Sequence, residues 1–435
     1  MCGIAGYVNF NKKSILNFSA GDLLNVMKNR GPNFQSSFEF KNLKYSLNLF
    51  SSRLSIIDLE KRSNQPFRIG NYTLVFNGEI YNYLELKNKL KKLGHQFKTN
   101  SDTEVLLKSF IQWGRKCDEM FDGMWAYAIF DKKMNRLYFS RDNFGQKPFY
   151  YYYDENNLVF GSEIKYLFKI GCLKEINYQK LEKYLNLGYR SIYQNNQTFF
   201  KNIKSLESGT NLEIDLVNKK ILTTIYFKKK INSINLKDKD PNIHNPKKLL
   251  EILLESLEKK LRCDVPLAYA LSGGIDSSAL VCLSKKILNK DINCYSIIDK
   301  SEEYNEIKNI KILEKDLNIE SNKIFLKREK TFLEDLEQLI IYHDSPLSTI
   351  SYYVHSKLSK EVSKNHKVII SGTGADELFC GYYDHFLIDI LSTNSKKKIL
   401  DWKKNIRPLV RNKNFKDINT YKKVFKTKNY FKNSN

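Results

Sequence analysis

The feature that most restricts the fold is the turn Ser272-Gly273-Gly274-Ile275-Asp276-Ser277-Ser278, set between the apolar run Leu267-Ala268-Tyr269-Ala270-Leu271 and a helix predicted from Ala279. Strand, glycine-rich turn and helix in that order open a βαβ unit, which requires a parallel sheet with helices on its faces. The alternation continues downstream. Strands are predicted over 292–298, 323–326 and 367–370, with helices over 305–317, 331–342 and 348–363 between them. Two glycines let the backbone approach an anion, serine hydroxyls donate hydrogen bonds, and a helix N-terminus adds about half a positive charge. Phosphate or pyrophosphate is expected at this turn. No lysine follows the glycines, so it is not the GxxxxGK[ST] loop.

The strand over 367–370 runs into Ser371-Gly372-Thr373-Gly374-Ala375-Asp376-Glu377, again glycines and acids at a strand's C-terminal edge, where open α/β sheets bind ligands. Asp276 and Asp376, with Glu377, have the hard oxygen donors that Mg²⁺ takes, and they have equally the character of helix N-caps.

The front of the chain is built differently. It opens Met1-Cys2-Gly3-Ile4-Ala5-Gly6, so removal of Met1 would leave a thiol and a free α-amine on Cys2. An α-amine with a pKa near about 8 can accept the thiol proton, placing a nucleophile beside its own base. Up to about residue 205, short strands such as 73–76, 126–130, 136–140 and 148–152 alternate with helices over 83–93 and 103–113, each followed by glycine. This predicts an α+β domain of stacked β-sheets with helices.

Three polar clusters punctuate it: Arg53, the stretch Asn77-Gly78-Glu79, and Asp102. With Cys2 they make an amino-acid pocket. A guanidinium grips an α-carboxylate with two parallel hydrogen bonds, carboxylates take an α-ammonium, and Asn77 with the Gly78 amide can donate to an oxyanion. Each has a plainer reading, Arg53 as a surface ion pair, Asn77-Gly78 as a hairpin turn and Asp102 as a helix cap.

At 435 residues the chain accommodates two or three domains. Its net charge of +24 is spread along the whole length with no nucleic-acid-binding motif, so no specific nucleic-acid partner is expected. The seven cysteines lack a CxxC pair, which argues against a zinc site or disulfide framework; Cys282 and Cys294 read as small buried hydrophobes. No apolar run reaches the ~18 residues of a membrane span and no signal-peptide stretch opens the chain, so a cytoplasmic protein is expected. From about Glu207 to Pro246 the chain turns polar and lysine-rich, through Lys228-Lys229-Lys230 and Lys237-Asp238-Lys239-Asp240-Pro241. The expected division is therefore 1–206, a polar connection over 207–245, and a second domain over 246–435, which Pro246 opens with an amphipathic helix burying Leu249, Leu250, Leu253, Leu254, Leu257 and Leu261.

Taken in order, Arg30-Gly31-Pro32, Arg53 to Asp58, Phe76 to Tyr83, Ser101 to Val105, Gly123-Met124 and Arg141-Asp142 to Tyr150 resemble the glutaminase domain of class II, N-terminal-nucleophile amidotransferases, and most closely that of glutamine-hydrolysing asparagine synthetases. The resemblance implies Cys2 as nucleophile, Arg53 and Asp102 holding glutamine, and Asn77, Gly78 and Glu79 completing the oxyanion and substrate contacts. The second half resembles the adenylating, ATP-pyrophosphatase domain of the same enzymes. It implies that Ser272, Gly273, Gly274, Asp276, Ser277 and Ser278 bind the pyrophosphate portion of ATP, and that Leu271, Ile297, Ser371 and Gly372 contact the adenosine. One half would release ammonia from glutamine; the other would activate a carboxylate as an acyl-adenylate, with Mg²⁺ and an internal ammonia tunnel implied by the family.

Two departures stand out. The family's His-Arg-Gly-Pro-Asp is here Asn29-Arg30-Gly31-Pro32-Asn33, and the glutamate usual in its Ser-Gly-Glu-Gly loop is Thr373. That glutamate is linked to forming the aspartyl-adenylate, so the acceptor is aspartate or another carboxylate such as a sugar acid. The chain also stops short of the family's usual length, leaving the second domain incomplete by expectation. A homodimer is admissible, and the sequence leaves the oligomeric state open.

Overall fold

The computed structural model describes residues 1–11, 18–192, 195–228, 245–299, 306–326, 331–382, 385, 396–401 and 404. Twelve strands of the amino-terminal region form two six-stranded antiparallel sheets. The first, in the order β10-β8-β9-β1-β3-β2, comprises β1 (Gly3–Asn9), β2 (Phe34–Lys41), β3 (Ser46–Arg53), β8 (Tyr150–Tyr153), β9 (Asn157–Gly161) and β10 (Ile203–Ser205). The second, in the order β12-β11-β7-β6-β5-β4, comprises β4 (Phe67–Ile69), β5 (Tyr72–Ile80), β6 (Gly123–Asp131), β7 (Arg136–Arg141), β11 (Thr210–Asp215) and β12 (Lys220–Ile225).

Side-chain alternation explains the layering. On β6, Ala126, Ala128 and Phe130 turn inward to meet Ile4, Val8, Leu47 and Leu49 of the first sheet in one core. The intervening Trp125, Tyr127 and Ile129 pack outward under α2 (Tyr83–Lys92) and α3 (Asp102–Trp113), through Leu86, Leu90, Val105 and Phe110. The outer face of the first sheet is covered by α1 (Ala20–Met27) and α4 (Ile164–Ile170), and α5 (Tyr178–Leu187) follows. The result is a helix–sheet–sheet–helix sandwich, and β6, covered on both faces, reads in sequence as one continuous apolar run.

The polar connection expected over 207–245 begins too early. Residues 210–225 form two strands, β11 pairing with β7 from Thr210 opposite Arg141 to Asp215 opposite Arg136, and β12 closing the sheet's edge. Leu212 and Ile214 are buried, and the polar residues that suggested a connection lie on the exposed edge strand β12. Lys229, Lys230 and the stretch 237–241 lie outside the described residues, as does most of the lysine-rich stretch 396–435.

The carboxyl-terminal region starts with α6 (Pro246–Lys260), whose Asn245 side chain accepts from the Lys247 and Lys248 amides, with Pro246 in the first turn. Its expected apolar face is covered only at one end: Leu257 and Leu261 are buried, whereas Leu249 and Leu250 are exposed. Four parallel strands follow in the order β15-β14-β13-β16: β13 (Leu267–Ala270), β14 (Asn293–Ile298), β15 (Ser321–Phe325) and β16 (Val368–Ile370). They alternate with α7 (Ile275–Cys282), α8 (Ile307–Leu317), α9 (Phe332–His343) and α10 (Ser351–Val362), and α11 (Ala375–Phe379) follows β16. One face is packed by Leu257, Tyr269, Val281 and Ile310, the other by Ala268, Tyr295, Leu358 and Val362.

From β13 the chain moves outward through β14 and β15, then returns to place β16 on the other side of β13. The order therefore reverses between β13 and β16, and the crevice at such a reversal, outside the strands' carboxyl ends, is where open parallel sheets take ligands. Helix α7 begins at Ile275, earlier than the expected Ala279, which puts Asp276, Ser277 and Ser278 in its first turn.

The two regions are fastened directly. The Asp58 amide donates to Asp264 Oδ2 at 2.7 Å and the Asp264 amide to the Ile56 carbonyl at 2.9 Å, while Arg262 grips Glu85 with two bonds of 2.7 Å. Lys367 Nζ donates to the Ser55 carbonyl. Among the described residues, no helix is long and apolar enough to cross a membrane.

Candidate active sites

Strand β1 carries Cys2 to the junction of the sheets, where the Leu54 amide donates to Cys2 Sγ at 3.4 Å. Arg30 Nε donates to the Cys2 carbonyl at 2.9 Å. A cavity of about 770 Å³ opens there, lined on one side by Cys2, Arg53, Asn77, Gly78, Glu79, Asp102 and Lys147, and on the other by Ser363, His366, Lys367 and Ile369 of the second region. Every residue expected in the amino-acid pocket is thus in one cavity, and that cavity reaches β16.

Asn77 is the most informative of them. It is 0% exposed, and among the described residues neither its amide nitrogen nor its oxygen has a hydrogen-bond partner. Leaving such groups unsatisfied costs about 1–3 kcal/mol each, so a buried amide facing a cavity points to a ligand that completes it. Gly78 beside it cannot be replaced: a Cβ there would lie 2.1 Å from the Met124 carbonyl on β6. The hairpin-turn reading of Asn77-Gly78 fails, because both lie within β5 opposite Ala126 and Trp125.

Asp102 opens α3, but the cap is Ser101, whose hydroxyl accepts from the Thr103 amide. Asp102 instead accepts from the Ile80 amide at 3.1 Å and from the Ser101 hydroxyl. Burial pushes its carboxyl up to about 6, against the pull of those bonds and of Arg53. Burial also raises Glu79 to about 7, with the Lys147 ammonium opposing it. The terminal amine, still on Met1, is lowered to about 5 by burial.

Arg53 is neither a surface ion pair nor a free fork. Its Nη1 donates to the Glu60 carbonyl and Asn64 Oδ1, and its Nη2 to the Ile57 and Asp58 carbonyls. Its terminal nitrogens therefore organise the 57–64 turn, and it offers the cavity its charge rather than a bidentate clamp.

Sequence reasoning missed Lys147. It is 4% exposed, donates to Met1 Sδ at 3.2 Å, and burial lowers its pKa. A lone lysine in Gly145-Gln146-Lys147-Pro148 carries no spacing signal; only the return of that loop to Met1 places it there.

The second site lies across the β13–β16 crevice. Ser272 Oγ bonds Ser277 Oγ at 2.9 Å and accepts from the Gly274 amide, and the Ser277 and Ser278 hydroxyls donate to the Gly274 carbonyl. Gly372 seats the second loop against this turn, since a Cβ there would be 3.0 Å from the Ser277 nitrogen. The two loops predicted to share a ligand are therefore in contact. Leu271, expected at the adenosine, is a core residue at 1% exposure, and Ile297, also expected there, is partly buried against the core on the α10 side of the sheet. The Thr373 and Ser371 hydroxyls are bonded to each other at 2.7 Å.

Asp276 stands in the first turn of α7, and Asp376 in that of the short α11. Glu377 is drawn off by the Tyr382 hydroxyl at 2.6 Å. Among the described residues, no group of three or more His, Cys, Asp or Glu side chains is arranged to hold a metal ion.

Residues 1–227 match the glutamine amidotransferase domain family, and residues 248–434 the asparagine synthase family. A protein of Methanocaldococcus jannaschii, provisionally designated glutamine-hydrolysing asparagine synthetase 2, is 33% identical over 409 residues, covering 88% of this chain and 76% of that protein. Glutamine-hydrolysing asparagine synthetase 1 of Bacillus subtilis is 30% identical, covering 88% of this chain and 59% of that protein. Amidase chry2 of Gibberella zeae is 27% identical, covering 90% of this chain and 61% of that protein. The chain thus spans about three-fifths of the length of the latter two.

Proposed function

The chain belongs to the family of glutamine-hydrolysing asparagine synthetases, and from that premise we propose that it hydrolyses glutamine at Cys2 and uses the ammonia to amidate an ATP-activated carboxylate. The observation that carries this reading is the buried Asn77 amide in the cavity of Cys2, which has no partner among the described residues.

Removal of Met1 frees the Cys2 amine to take the thiol proton. The thiolate attacks the side-chain amide carbon of glutamine, and Asn77 with the Gly78 amide holds the oxyanion. Collapse of that adduct breaks the C–N bond and releases ammonia as the nitrogen takes up the proton. Water then cleaves the thioester, giving glutamate and restoring the thiol. Glu79 and Asp102 hold the ammonium of glutamine, with Arg53 and Lys147 supplying positive charge for its carboxylate.

In the second region the acceptor carboxylate attacks the α-phosphorus of ATP and pyrophosphate leaves. The amides and hydroxyls of 272–278, at the start of α7, receive that pyrophosphate. Ammonia then attacks the acyl carbon and AMP departs. Asp276 and Asp376 have the oxygen donors that suit Mg²⁺ and would hold it there, where its charge offsets that of the phosphates. The cavity that runs from Cys2 to Lys367 and Ile369 favours internal passage of ammonia.

Aspartate is the leading acceptor. A second reading, another carboxylate such as a sugar acid, is favoured by Thr373, whose hydroxyl carries no charge and is tied to Ser371. Pyrophosphate release from Mg-ATP in the presence of glutamine, compared with and without aspartate, separates them. Dependence on aspartate supports the first reading; glutamine hydrolysis without that dependence supports the second.

A further inference from the structure

The carbonyl of Cys2 is held by Arg30, and Arg30 is itself the first of four charged side chains that run out of the site to the other half of the molecule. Its Nη1 meets Glu163 Oε1 at 3.1 Å, Glu163 Oε2 meets Lys165 Nζ at 3.2 Å, and Lys165 Nζ lies 3.7 Å from Asp344 Oδ2. The Lys165 amide also donates to Asp344 Oδ2, at 3.0 Å. Asp344 belongs to the second region, at the C-terminal end of α9.

Several details indicate that the row is built for its ends. Glu163 stands at the N-cap of α4 yet makes no capping bond, so its carboxylate is turned away from a helix end that would ordinarily take it. The adjacent Ser162 exchanges bonds with Ile4 at 2.9 and 3.1 Å, fastening the same turn to β1 two residues from the nucleophile. Asp344 holds φ at 54°, a left-handed conformation a non-glycine residue adopts at a cost. Lys165 Nζ also donates to the Tyr342 carbonyl and lies over the Tyr342 ring, so a cation sits against the last turn of α9. Side-chain exposures of 7, 12, 24 and 12% along the row mean that loss of one charge is poorly repaired by solvent.

We propose that Lys165 and Asp344 are positioning residues for Cys2: the seating of α9 on the amino-terminal sandwich is transmitted through Glu163 and Arg30 to the backbone of the nucleophile. Neither residue touches the cavity around the thiol. Glutaminase reactivity is then highest when the second region is docked. This inference rests on the reading of Cys2 as the glutaminase nucleophile.

The test uses the full chain with Met1 removed. Asp344→Asn and Lys165→Gln are compared with the parent for steady-state glutamine hydrolysis and for the rate of iodoacetamide alkylation at Cys2, followed by mass spectrometry of the Cys2 peptide. The expected result is a fall in kcat and in alkylation rate of about fivefold or more, the scale of a site-to-site coupling, with KM for glutamine little changed. Asp344→Glu should restore most of both. Lys364→Ala, at the exposed Lys364–Glu361 pair, should change neither. Parent-like kcat and alkylation rate in variants with parent-like melting temperatures would overturn the inference. If Asp344→Asn does not fold, Lys165→Gln carries the same comparison, since it keeps the main-chain bond to Asp344. A parent that fails to hydrolyse glutamine would refute the glutaminase reading, while the alkylation rates would still decide whether the row positions Cys2.

Discussion

The two candidate sites are finished to different degrees. Around Cys2 the protein supplies a cavity in which Glu79, Asp102, Asn77 and Lys147 are buried and, among the described residues, nothing completes the Asn77 amide. Across the β13–β16 crevice, the Ser272, Ser371 and Thr373 side chains are exposed, and the hydroxyls of both loops bond one another or their own backbone. The polar groups of the first site are held in place by burial; under the proposed function, the second would exchange its internal bonds for phosphate contacts. Preorganisation of that kind lowers the cost of reaching the transition state, so single substitutions in the first site should weigh more heavily.

The largest expected effect is that of Cys2→Ala. Glutamine hydrolysis should vanish while ammonia-dependent pyrophosphate release persists, as measured by glutamate and pyrophosphate assays side by side. Loss of both would mean that the two sites are not separable as described.

Asn77→Ala should come next, lowering kcat for glutamine by about 10²–10³-fold, the range for removing one oxyanion donor. Among the described residues the Asn77 side chain has no partner to lose, so the melting temperature should stay near that of the parent or rise. A drop in stability without a drop in kcat would make it a structural residue.

The buried carboxyls give a smaller, graded effect. Glu79 is raised from 4.5 to about 7 and Asp102 from 3.8 to about 6, so the neutral forms are favoured in the folded protein. Binding the ammonium of glutamine needs them ionised, and kcat/KM for glutamine should therefore climb between pH 6 and 8. The stability sign is opposite: the advantage of the neutral carboxyls is complete below their unfolded values and is lost as pH rises through 6 and 7. A pH profile of glutamine hydrolysis checks this, and Glu79→Gln should remove its upper part.

The smallest effect belongs to the seam. Arg262→Ala removes the two bonds to Glu85, a partly exposed pair worth about 0.5–1 kcal/mol, together with the bond to the Tyr81 carbonyl, and should lower the melting temperature by a few degrees, the ion-pair part of it less at high salt. An effect on glutamine kcat as large as that expected for Asp344→Asn would mean that any loosening of the seam disturbs Cys2, and that the charged row is not a special route.

Much of this molecule is readable from local pattern. The strand–turn–helix at 267–282, the parallel strands after it and the helices at 83–92 and 102–113 all follow from periodicity and glycine punctuation, which depend on near neighbours. Within 210–225 the alternation of Leu212 and Ile214 was present, but the polar residues of an edge strand resemble a linker until a partner strand exists to pair with it. The chemistry of Cys2, Asn77, Gly78, Glu79 and Asp102 could be named from residue type and order.

Which groups surround those residues was decided only in three dimensions. Sequence pattern cannot say that the Arg53 terminal nitrogens are taken up by oxygens of the 57–64 turn, that Lys147 returns to Met1, or that Asp344 reaches Lys165 from 179 positions away. Each is a contact between segments whose spacing has no period, and its strength depends on burial, which is a property of the packed molecule and not of any stretch of chain. Sequence alone thus determined which reactions the residues can perform; the tertiary structure decided which charges are desolvated, which donors remain free for a ligand, and how the two halves meet.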